Sequence, residues 1–301
     1  MVISVTINKY SYITARELPP FFGYRHRIRY FQYEEAQELD EINHPSVRET
    51  TKFLDFPGCL DISHNSDLPS RSGLGSSSTF TVGMVHSLRA LMGQMASKRE
   101  LAVDAIHIEQ NVIGESVGSQ DQVAAAFGGL NKISFDKTGD FEVEPIPMSA
   151  TRLGDFHSHL LLCFTGFART ASEIAELQLA RMGSNQVSLD TISRISEEAL
   201  KILSNSSSPL PSLGTLLSEQ WEAKRSLSDA VSTEAIDEIY DRGIAAGATG
   251  GKLLGAGGGG FMLFFADPDR HAAIISTLGE KMFVPFRFEH AGSSIIHYSH
   301  S

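Results

Sequence analysis

The sequence predicts an α+β fold, because segments with the pattern of strands and segments with the pattern of helices are mixed along the chain. The run Val2–Thr14 alternates and is rich in β-branched residues, which is typical of a strand. The final part of the chain predicts a strand, a helix and a strand: Phe261–Ala266, Pro268–Leu278 and Phe283–Glu289. A change in composition places a boundary near residue 152, so we expect domains at 1–152 and 153–301.

Local patterns predict the other elements. Ser97 and Glu100 have the spacing of a capping box and begin a helix that we expect to end near Gly114. The remaining elements are, in order, a strand with its turn, a short helix, a short strand, a hairpin, a buried strand and three helical stretches: 21–31, 47–54, 57–63, 131–146, 159–165, 168–183, 189–203 and 213–246. We expect the last stretch to be broken near 228–232.

Charge and composition argue against several classes of protein. The chain has 25 Lys and Arg against 36 Asp and Glu, a net charge of -11, so we do not expect a nucleic-acid binder. Arg25, Arg27 and Arg29 form a basic cluster, which we interpret as solvated charges on a strand, with RNA contact as the alternative. Cys59 and Cys163 lack the spacing of a zinc site or disulfide framework and indicate a reducing compartment.

Two further expectations concern location. The sequence has no run of about 18 apolar residues, so it predicts no membrane span. Its start lacks the charged and then apolar pattern of a signal peptide. We therefore expect a cytoplasmic protein without a membrane partner.

The stretch Ser66–Met92 has the pattern of a phosphate-binding loop that leads into a helix. A turn passes through Gly73, Leu74 and Gly75, and three serines open a segment of helical periodicity. Its apolar stripe consists of Phe80, Met84, Leu88 and Leu91. Free backbone N–H groups and the positive end of the helix dipole make such a terminus suitable for phosphate. A serine-capped helix after a flexible loop is the alternative.

A second glycine cluster occupies 247–260. Gly255, Gly257 and Gly260 match the spacing of a dinucleotide fingerprint, but a strand follows the cluster instead of preceding it, so we reject that interpretation. Lys252 is followed by Leu253, which also excludes a P-loop. We expect a glycine loop whose backbone closely approaches a ligand, with a tight turn packed on another segment as the alternative.

Two acidic residues have a candidate role. Asp121 lies between a Gly/Ser loop and an apolar run, and Glu109 lies near the end of its helix. If both face the phosphate loop, one can hold Mg²⁺ with a serine hydroxyl, and the other can orient or deprotonate a hydroxyl nucleophile. A phosphate cradle, a metal and a positioned nucleophile are the parts that phosphoryl transfer needs.

Together these motifs resemble those of the GHMP kinase superfamily: Pro69 to Ser78, Glu109 with Asp121, and 247–260. The resemblance covers nearly the whole chain. It implies a two-domain fold, with an N-terminal domain like ribosomal protein S5 domain 2, a ferredoxin-like C-terminal domain and a site in the cleft. Segments such as 118–135 and 159–174 resemble the branch of sugar-1-kinases that act on D-glycero-D-manno-heptose 7-phosphate, with fucose kinases as close relatives.

The resemblance also implies roles for individual residues, with ATP and Mg²⁺ as cofactors. ATP phosphates would lie on the loop made of Pro69, Ser72, Gly73, Leu74, Gly75, Ser76, Ser77 and Ser78. Ser77 and Glu109 would hold Mg²⁺, and Asp121 would orient or deprotonate the anomeric hydroxyl. The sugar phosphate would contact Arg169, Ser172, Gly255, Gly257 and Gly258. For Arg169 a surface ion pair is the alternative.

One departure from the family pattern affects the expected activity. Similar family members carry a further strand and a Gly-rich loop, which supply sugar contacts, before the strand that begins at Val2. Without them we expect Val2–Thr14 to form an exposed edge that could pair with another chain, so a homodimer is left open. The functional hypotheses are a heptose 7-phosphate 1-kinase, a fucokinase-like enzyme, or an inactive protein that binds nucleotide or sugar.

Overall fold

A computed structural model describes residues 1–70, 72–166 and 186–299, and two compact units can be distinguished. The first unit comprises Met1–Val5, Ser70–Leu74 and Leu130–Phe288. The second comprises Thr6–Pro69, Gly75–Gly129 and Glu289–Ser301. The predicted boundary near residue 152 stays a prediction.

Strands in the described part of the chain form three four-stranded sheets, ordered β12-β1-β6-β7, β11-β8-β10-β9 and β2-β5-β3-β4. Their bounds are β1 (Val2–Ile7), β2 (Ser11–Glu17), β3 (His26–Arg29), β4 (Tyr33–Ala36), β5 (Leu60–Ser66), β6 (Leu130–Phe135), β7 (Phe141–Pro145), β8 (Leu160–Phe164), β9 (Gly250–Leu253), β10 (Phe261–Phe265), β11 (Met282–Phe283) and β12 (Phe288–Glu289).

Helices lie between groups of these strands along the chain. They are α1 (Pro45–Phe53), α2 (Ser76–Leu91), α3 (Lys98–His107), α4 (Gln120–Phe127), α5 (Ala150–Ser158), α6 (Gln186–Ser204), α7 (Ser212–Arg225), α8 (Glu234–Ala245) and α9 (His271–Thr277). Short 3₁₀ turns lie at Leu39–Glu41 and Pro268–Arg270, and a π-helical segment, Ile108–Ile113, continues α3. The predicted capping box is confirmed, since Ser97 Oγ accepts from the Glu100 amide and the Glu100 carboxylate accepts from the Ser97 amide. None of the described helices has the length and apolar character that crossing a membrane would require.

The core of the second unit lies between one face of the β2-β5-β3-β4 sheet and helix α2. Strand residues Ile28, Leu60 and Ile62 are buried in one apolar cluster with Phe80, Met84 and Leu88 of α2. The predicted apolar stripe on this helix is therefore confirmed, because three of its four residues are at most 4% exposed. Burial of this face fixes α2 on the sheet, and with it the position of the helix N-terminus.

The same sheet carries the basic cluster that the sequence shows. Asp61 on β5 is buried and accepts hydrogen bonds from Arg16 at 2.8 Å and from Arg27 at 2.6 Å, with Arg29 at 3.1 Å. Burial alone would raise the pKa of Asp61, but the two hydrogen-bonded guanidinium groups and the charge of Arg29 lower it below its usual value. Arg27 and Arg29 of the basic cluster, together with Arg16, are therefore organised around one carboxylate, whereas Arg25 pairs with Glu38 at 3.7 Å.

Two apolar clusters lie among the described residues of the first unit. One surrounds Trp221 with Ile236, Met262 and Phe264, and the other joins Leu130, Leu160 and Phe265 to helices α6 and α7.

Arg152 of α5 stabilises the end of helix α6. Its guanidinium group donates to the carbonyl oxygen of Ile202, in the last turn of α6, at 2.8 Å and to that of Ser208, in the loop that follows, at 2.9 Å. Carbonyls at a helix C-terminus have no partner within the helix, so a cationic side chain stabilises them.

The predicted strand Val2–Thr14 differs in the structure, where it is two strands in different sheets. The chain bends at Asn8, and the Lys9 amide donates to the Ile7 carbonyl at the end of β1. Strand β1 lies between β12 and β6, so the expected exposed edge is wrong for this part, whereas β2 is the edge strand of its own sheet, as expected.

The predicted strand Phe283–Glu289 also divides between two sheets. It contains Pro285, which lacks the amide donor that a continuous strand would use. Helices α4 and α5 and strands β4 and β9 were not predicted.

Removing the Asp61 charge should destabilise the second unit. We expect Asp61→Asn to lower the free energy of unfolding by about 3 kcal/mol, because the largely buried Arg27 then lacks a compensating charge. Urea denaturation measures the change. Glu144→Gln, which breaks an exposed pair with Lys132, is the control and should cost at most about 1 kcal/mol. Equal losses in the two variants would contradict the assigned role.

Acid should destabilise the chain through His44, whose ring lies against those of Tyr30 and Phe80. Burial lowers the pKa of His44 from 6.5 to about 4. As the pH falls from 6.5 to 4 the unfolded chain gains this proton and the folded chain does not, so stability falls, by up to about 1.4 kcal/mol per pH unit. Thermal unfolding of His44→Leu should depend less on pH across this window, whereas the exposed control His290→Leu should behave as the unsubstituted chain.

Candidate active site

The N-terminus of α2 is open to a ligand. Its N-cap is Gly75, in the left-handed region at φ 69°, and no side chain caps the helix within the described chain. The first helical residues are Ser76, Ser77 and Ser78, so the interpretation as a serine-capped helix is wrong. First-turn amides without an intrahelical partner, together with the helix dipole, form a physical site for an anion.

Asp121 lies against this terminus. It belongs to the first turn of α4, and a Cβ atom built on Gly75 would lie 3.1 Å from the Asp121 Cγ and 3.2 Å from its Oδ2. The predicted neighbourhood of Asp121 and the phosphate loop is therefore present in the structure. Any larger residue at position 75 would press on the carboxylate, and the left-handed φ excludes most residues independently.

Glu109 is the buried carboxylate of the site. It lies in the π-helical segment Ile108–Ile113 and is 1% exposed. Its Oε2 accepts from Ser78 Oγ at 2.8 Å and from Gln122 Nε2 at 2.5 Å. Burial raises the pKa of Glu109, against the smaller lowering effects of nearby Thr81, Ser78 and Gln122. π-Helical turns frequently occur at functional sites because they re-aim one side chain of a helix.

Glu109 has an oxygen that fits a bound Mg²⁺, but the serine that contacts Glu109 is not the one that was predicted. Glu109 Oε1 is a buried acceptor that has no hydrogen-bond donor, and a hard cation prefers such an oxygen. Ser78, not Ser77, contacts Glu109, while Ser77 is exposed in the first turn. Within the described residues no three His, Cys, Asp or Glu side chains group around a point, so any cation here would need further ligands from a nucleotide or water.

The second glycine cluster packs on the preceding part of the phosphate loop. A Cβ atom built on Gly255, at φ 69°, would lie 2.5 Å from the Cα of Gly73, and one on Gly73 would lie 2.7 Å from the Leu254 carbonyl oxygen. Ser72 is fully buried beside Gly260, and its hydroxyl has no partner in the described chain. The sequence predicts a close approach of this glycine loop, and in the structure its backbone approaches the backbone of Ser72 and Gly73.

Other glycines of this cluster are also explained by contacts within the first unit. Gly257 and Gly258 are buried, and the amide of Gly258 donates to the Val231 carbonyl at 2.9 Å. Their contacts favour the alternative of a turn packed on another segment, and their role in substrate binding stays a prediction. Lys252 lies on β9 and donates to Gln220 at 2.7 Å, and burial lowers its pKa to about 8.

Sequence reasoning missed two residues of this region. Lys224, at the end of α7, donates through Nζ to the carbonyl oxygens of Leu253 and Gly255 and so holds the start of the glycine loop. Gln122 is fully buried and binds Glu109. A polar residue beside Asp121 at the start of an apolar run could have indicated Gln122, but no sequence pattern indicates Lys224.

The other predicted site residues stay predictions. Arg169 and Ser172 lie outside the described residues. Pro69 is exposed and Leu74 is half-buried, which is compatible with a loop that faces a ligand through its backbone.

Comparisons with known proteins identify the family of the chain. A family model for the GHMP kinases N terminal domain matches residues 45–129, and one for the GHMP kinases C terminal matches 195–284. The chain is 33% identical over 227 residues to a D-glycero-alpha-D-manno-heptose 7-phosphate kinase of Campylobacter jejuni, covering 75% of this chain and 67% of that enzyme.

Two further similarities are more distant. The chain is 28% identical over 220 residues to the bifunctional fucokinase/GDP-fucose pyrophosphorylase of Arabidopsis thaliana, covering 71% of this chain but only 20% of that protein. The crystal structure of a D-glycero-D-manno-heptose 1-phosphate kinase from Bacteroides thetaiotaomicron matches with a TM-score of 0.77 at 23% identity, over 97% of this chain and 88% of that one. At this identity the likeness shows a shared fold.

The contact between Gly255 and Gly73 predicts a specific cost of substitution. Gly93→Ala is a matched control, because Gly93 has the same φ of 69° with no atom within 4 Å of a built Cβ. We expect Gly93→Ala to lose about 1 kcal/mol of stability from backbone strain alone, and Gly255→Ala to lose at least twice as much because the methyl group also meets Gly73. Denaturant unfolding measures both, and equal losses would show that the packing contact is unimportant.

Proposed function

The chain belongs to the GHMP kinase family, and on that premise we propose that it is an ATP-dependent sugar-1-kinase. Its substrate would be D-glycero-D-manno-heptose 7-phosphate and its products the 1,7-bisphosphate and ADP. The observation that carries this proposal is the position of the Asp121 carboxylate against Gly75, at the open N-terminus of α2. That arrangement puts a proton acceptor beside an anion site, as phosphoryl transfer to a hydroxyl requires.

In the proposed reaction the anomeric oxygen attacks the γ-phosphorus of ATP, and the bond from that phosphorus to the ADP oxygen breaks. The hydroxyl proton passes to the Asp121 carboxylate. The amides of Ser76, Ser77 and Ser78 at the start of α2 bind phosphate oxygens and stabilise their charge. These groups act mainly by position, because the transferred phosphoryl group needs orientation and charge stabilisation more than covalent help.

Glu109 is the residue that we assign to Mg²⁺, with Ser77 as its hydroxyl partner. The cation, when bound with ATP, would neutralise charge on the phosphates. Support comes from the buried Oε1 without a donor and from the exposed hydroxyl of Ser77 one helical position before Ser78. Gly255 is the part of the glycine cluster that we retain as a candidate near the sugar, since it is less buried than Gly257 and Gly258.

The heptose substrate rests on the 33% identity with the Campylobacter jejuni enzyme. A fucose-type sugar is the second candidate, supported by the 28% identity with the Arabidopsis thaliana fucokinase protein. A panel of sugars in an ADP-release assay separates the two. We expect turnover with heptose 7-phosphate at least about tenfold above that with fucose, a difference of about 1.4 kcal/mol in transition-state binding. The reverse order would favour the fucokinase-like function, and nucleotide binding without turnover on any sugar would favour an inactive binding protein.

Asp121→Asn tests the assigned base. The amide keeps the shape of the side chain but accepts no proton, so kcat should fall by about 100-fold or more while ATP binding changes little. ADP release and calorimetric ATP binding measure the two effects. Asp241→Asn, on the exposed face of α8, is the control and should leave both unchanged. Normal turnover in Asp121→Asn would mean that the base is another group.

A further inference from the structure

Both hydrogen bonds to the Glu109 carboxylate go to the same oxygen. Ser78 Oγ and Gln122 Nε2 donate to Oε2, at 2.8 and 2.5 Å. Oε1 is buried and accepts no hydrogen bond of ordinary geometry from the described chain. The two oxygens of one carboxylate thus differ, because one is held by two donors of ordinary geometry and the other by none among the described residues. The Thr81 hydroxyl also lies near enough to favour the ionised carboxylate.

The two donors come from different helices and are themselves buried. Ser78 belongs to the first turn of α2 and is 6% exposed, and Gln122 belongs to the first turn of α4 and is fully buried. Rotation of the Glu109 carboxylate would break both bonds. A side chain held from two directions has its orientation fixed before any ligand arrives, which is how outer groups orient a metal ligand.

The donors are also electrically neutral. An ionised Glu109 has almost no exposure to water, its nearby polar groups (Ser78, Thr81 and Gln122) are neutral, and it makes no ion pair with another described residue. Such an arrangement is costly unless a cation completes it. The Gln122 side chain must present its N–H₂ group to Glu109, so its own Oε1, which is likewise buried and has no donor, faces away from Oε2.

We propose that Ser78 and Gln122 are positioning residues that hold Glu109 Oε2 and thereby reserve Oε1 for the divalent cation. The inference rests on the proposed function, since it needs a nucleotide-bound cation at Glu109. It assigns the Ser78 hydroxyl a task separate from the phosphate binding that is proposed for the amides of Ser76, Ser77 and Ser78. Under this proposal one helical turn serves both groups, because Gln122, which holds the cation ligand, directly follows the proposed base Asp121 on α4.

A purely structural role would have a different signature. Loss of a buried hydrogen bond lowers the thermal stability of the folded chain, whatever the metal concentration. Loss of orientation at a metal ligand lowers the affinity for the metal by about 10- to 100-fold. Metal affinity measured on folded protein therefore separates the two roles.

The test uses Mn²⁺ as the probe, with the full chain and saturating ADP but no sugar. Free Mn²⁺ is measured by electron paramagnetic resonance for the unsubstituted chain, Ser78→Ala and Gln122→Met. We expect the dissociation constant for Mn²⁺ to rise about 10- to 100-fold in each variant. Because both donors act on one oxygen, the double variant should lose less than the product of the two single effects.

Matched controls lie on the same helical turns. Thr79→Ala removes a hydroxyl one residue after Ser78, and Gln120→Met changes an exposed amide two residues before Gln122. Both should bind Mn²⁺ with the affinity of the unsubstituted chain. Circular dichroism and thermal unfolding establish that each variant is folded. If Gln122→Met does not fold, Ser78→Ala, as the smaller change, still provides the test.

Unchanged Mn²⁺ affinity in folded Ser78→Ala or Gln122→Met, with only a lower unfolding temperature, would overturn the inference and leave a structural network. Failure of the unsubstituted chain to bind Mn²⁺ with ADP would overturn both the inference and the cation assignment of the proposed function. Normal Mn²⁺ binding without turnover on any sugar would overturn the proposed function alone. In that case a weaker Mn²⁺ site in the two variants would still support the inference.

Discussion

The close packing of glycine backbone around the segment Ser72–Gly75 is the constraint on which the rest of the site depends. At Gly73 a methyl group would meet the Leu254 carbonyl, and at Gly75 it would meet the Asp121 side chain. Both positions also have positive φ, so two independent reasons exclude a larger residue. Because these positions carry no side chains, the chain enters α2 with its first amides accessible to an anion.

The second unit contains two buried carboxylates, Asp61 and Glu109, whose surroundings shift their pKa values in opposite directions. Asp61 is surrounded by arginines, which lower its pKa in spite of burial. Glu109 has only neutral hydrogen-bond partners, and burial raises its pKa. The first carboxylate is complete within the protein and stabilises the sheet. The second makes no ion pair within the described part of the chain, and a carboxylate with a shifted pKa is common at functional sites.

Local sequence patterns predicted many of the helices and strands, and the family resemblance predicted the fold that they form. The predicted GHMP kinase fold is confirmed by the family models and by the structural neighbours. The capping box at Ser97 and the stripe of Phe80, Met84 and Leu88 were predictable because each depends on neighbours in sequence. The division of Val2–Thr14 between two sheets was not, because strand pairing is set by distant partners such as β6 and β5.

The candidate site shows the same limit. Glycines and Asp121 were visible in the sequence because unusual composition marks them. The partner of each glycine was not visible, and the cluster at 247–260 was assigned to a ligand where the structure shows contacts to Gly73 and Val231. The contacts of Ser78 and Gln122 with Glu109 were hidden for another reason, since Glu109 reaches both residues from a π-helical turn and no local pattern predicts that turn.

Phosphorus-31 NMR of a reaction mixture is the most direct test of the central claim, that this chain transfers phosphate from ATP to an anomeric hydroxyl. With ATP, Mg²⁺ and D-glycero-D-manno-heptose 7-phosphate, the account predicts a new phosphate resonance coupled to the anomeric proton, growing in step with ADP. Formation of inorganic phosphate in place of that resonance, or no consumption of ATP with any sugar tested, would contradict it.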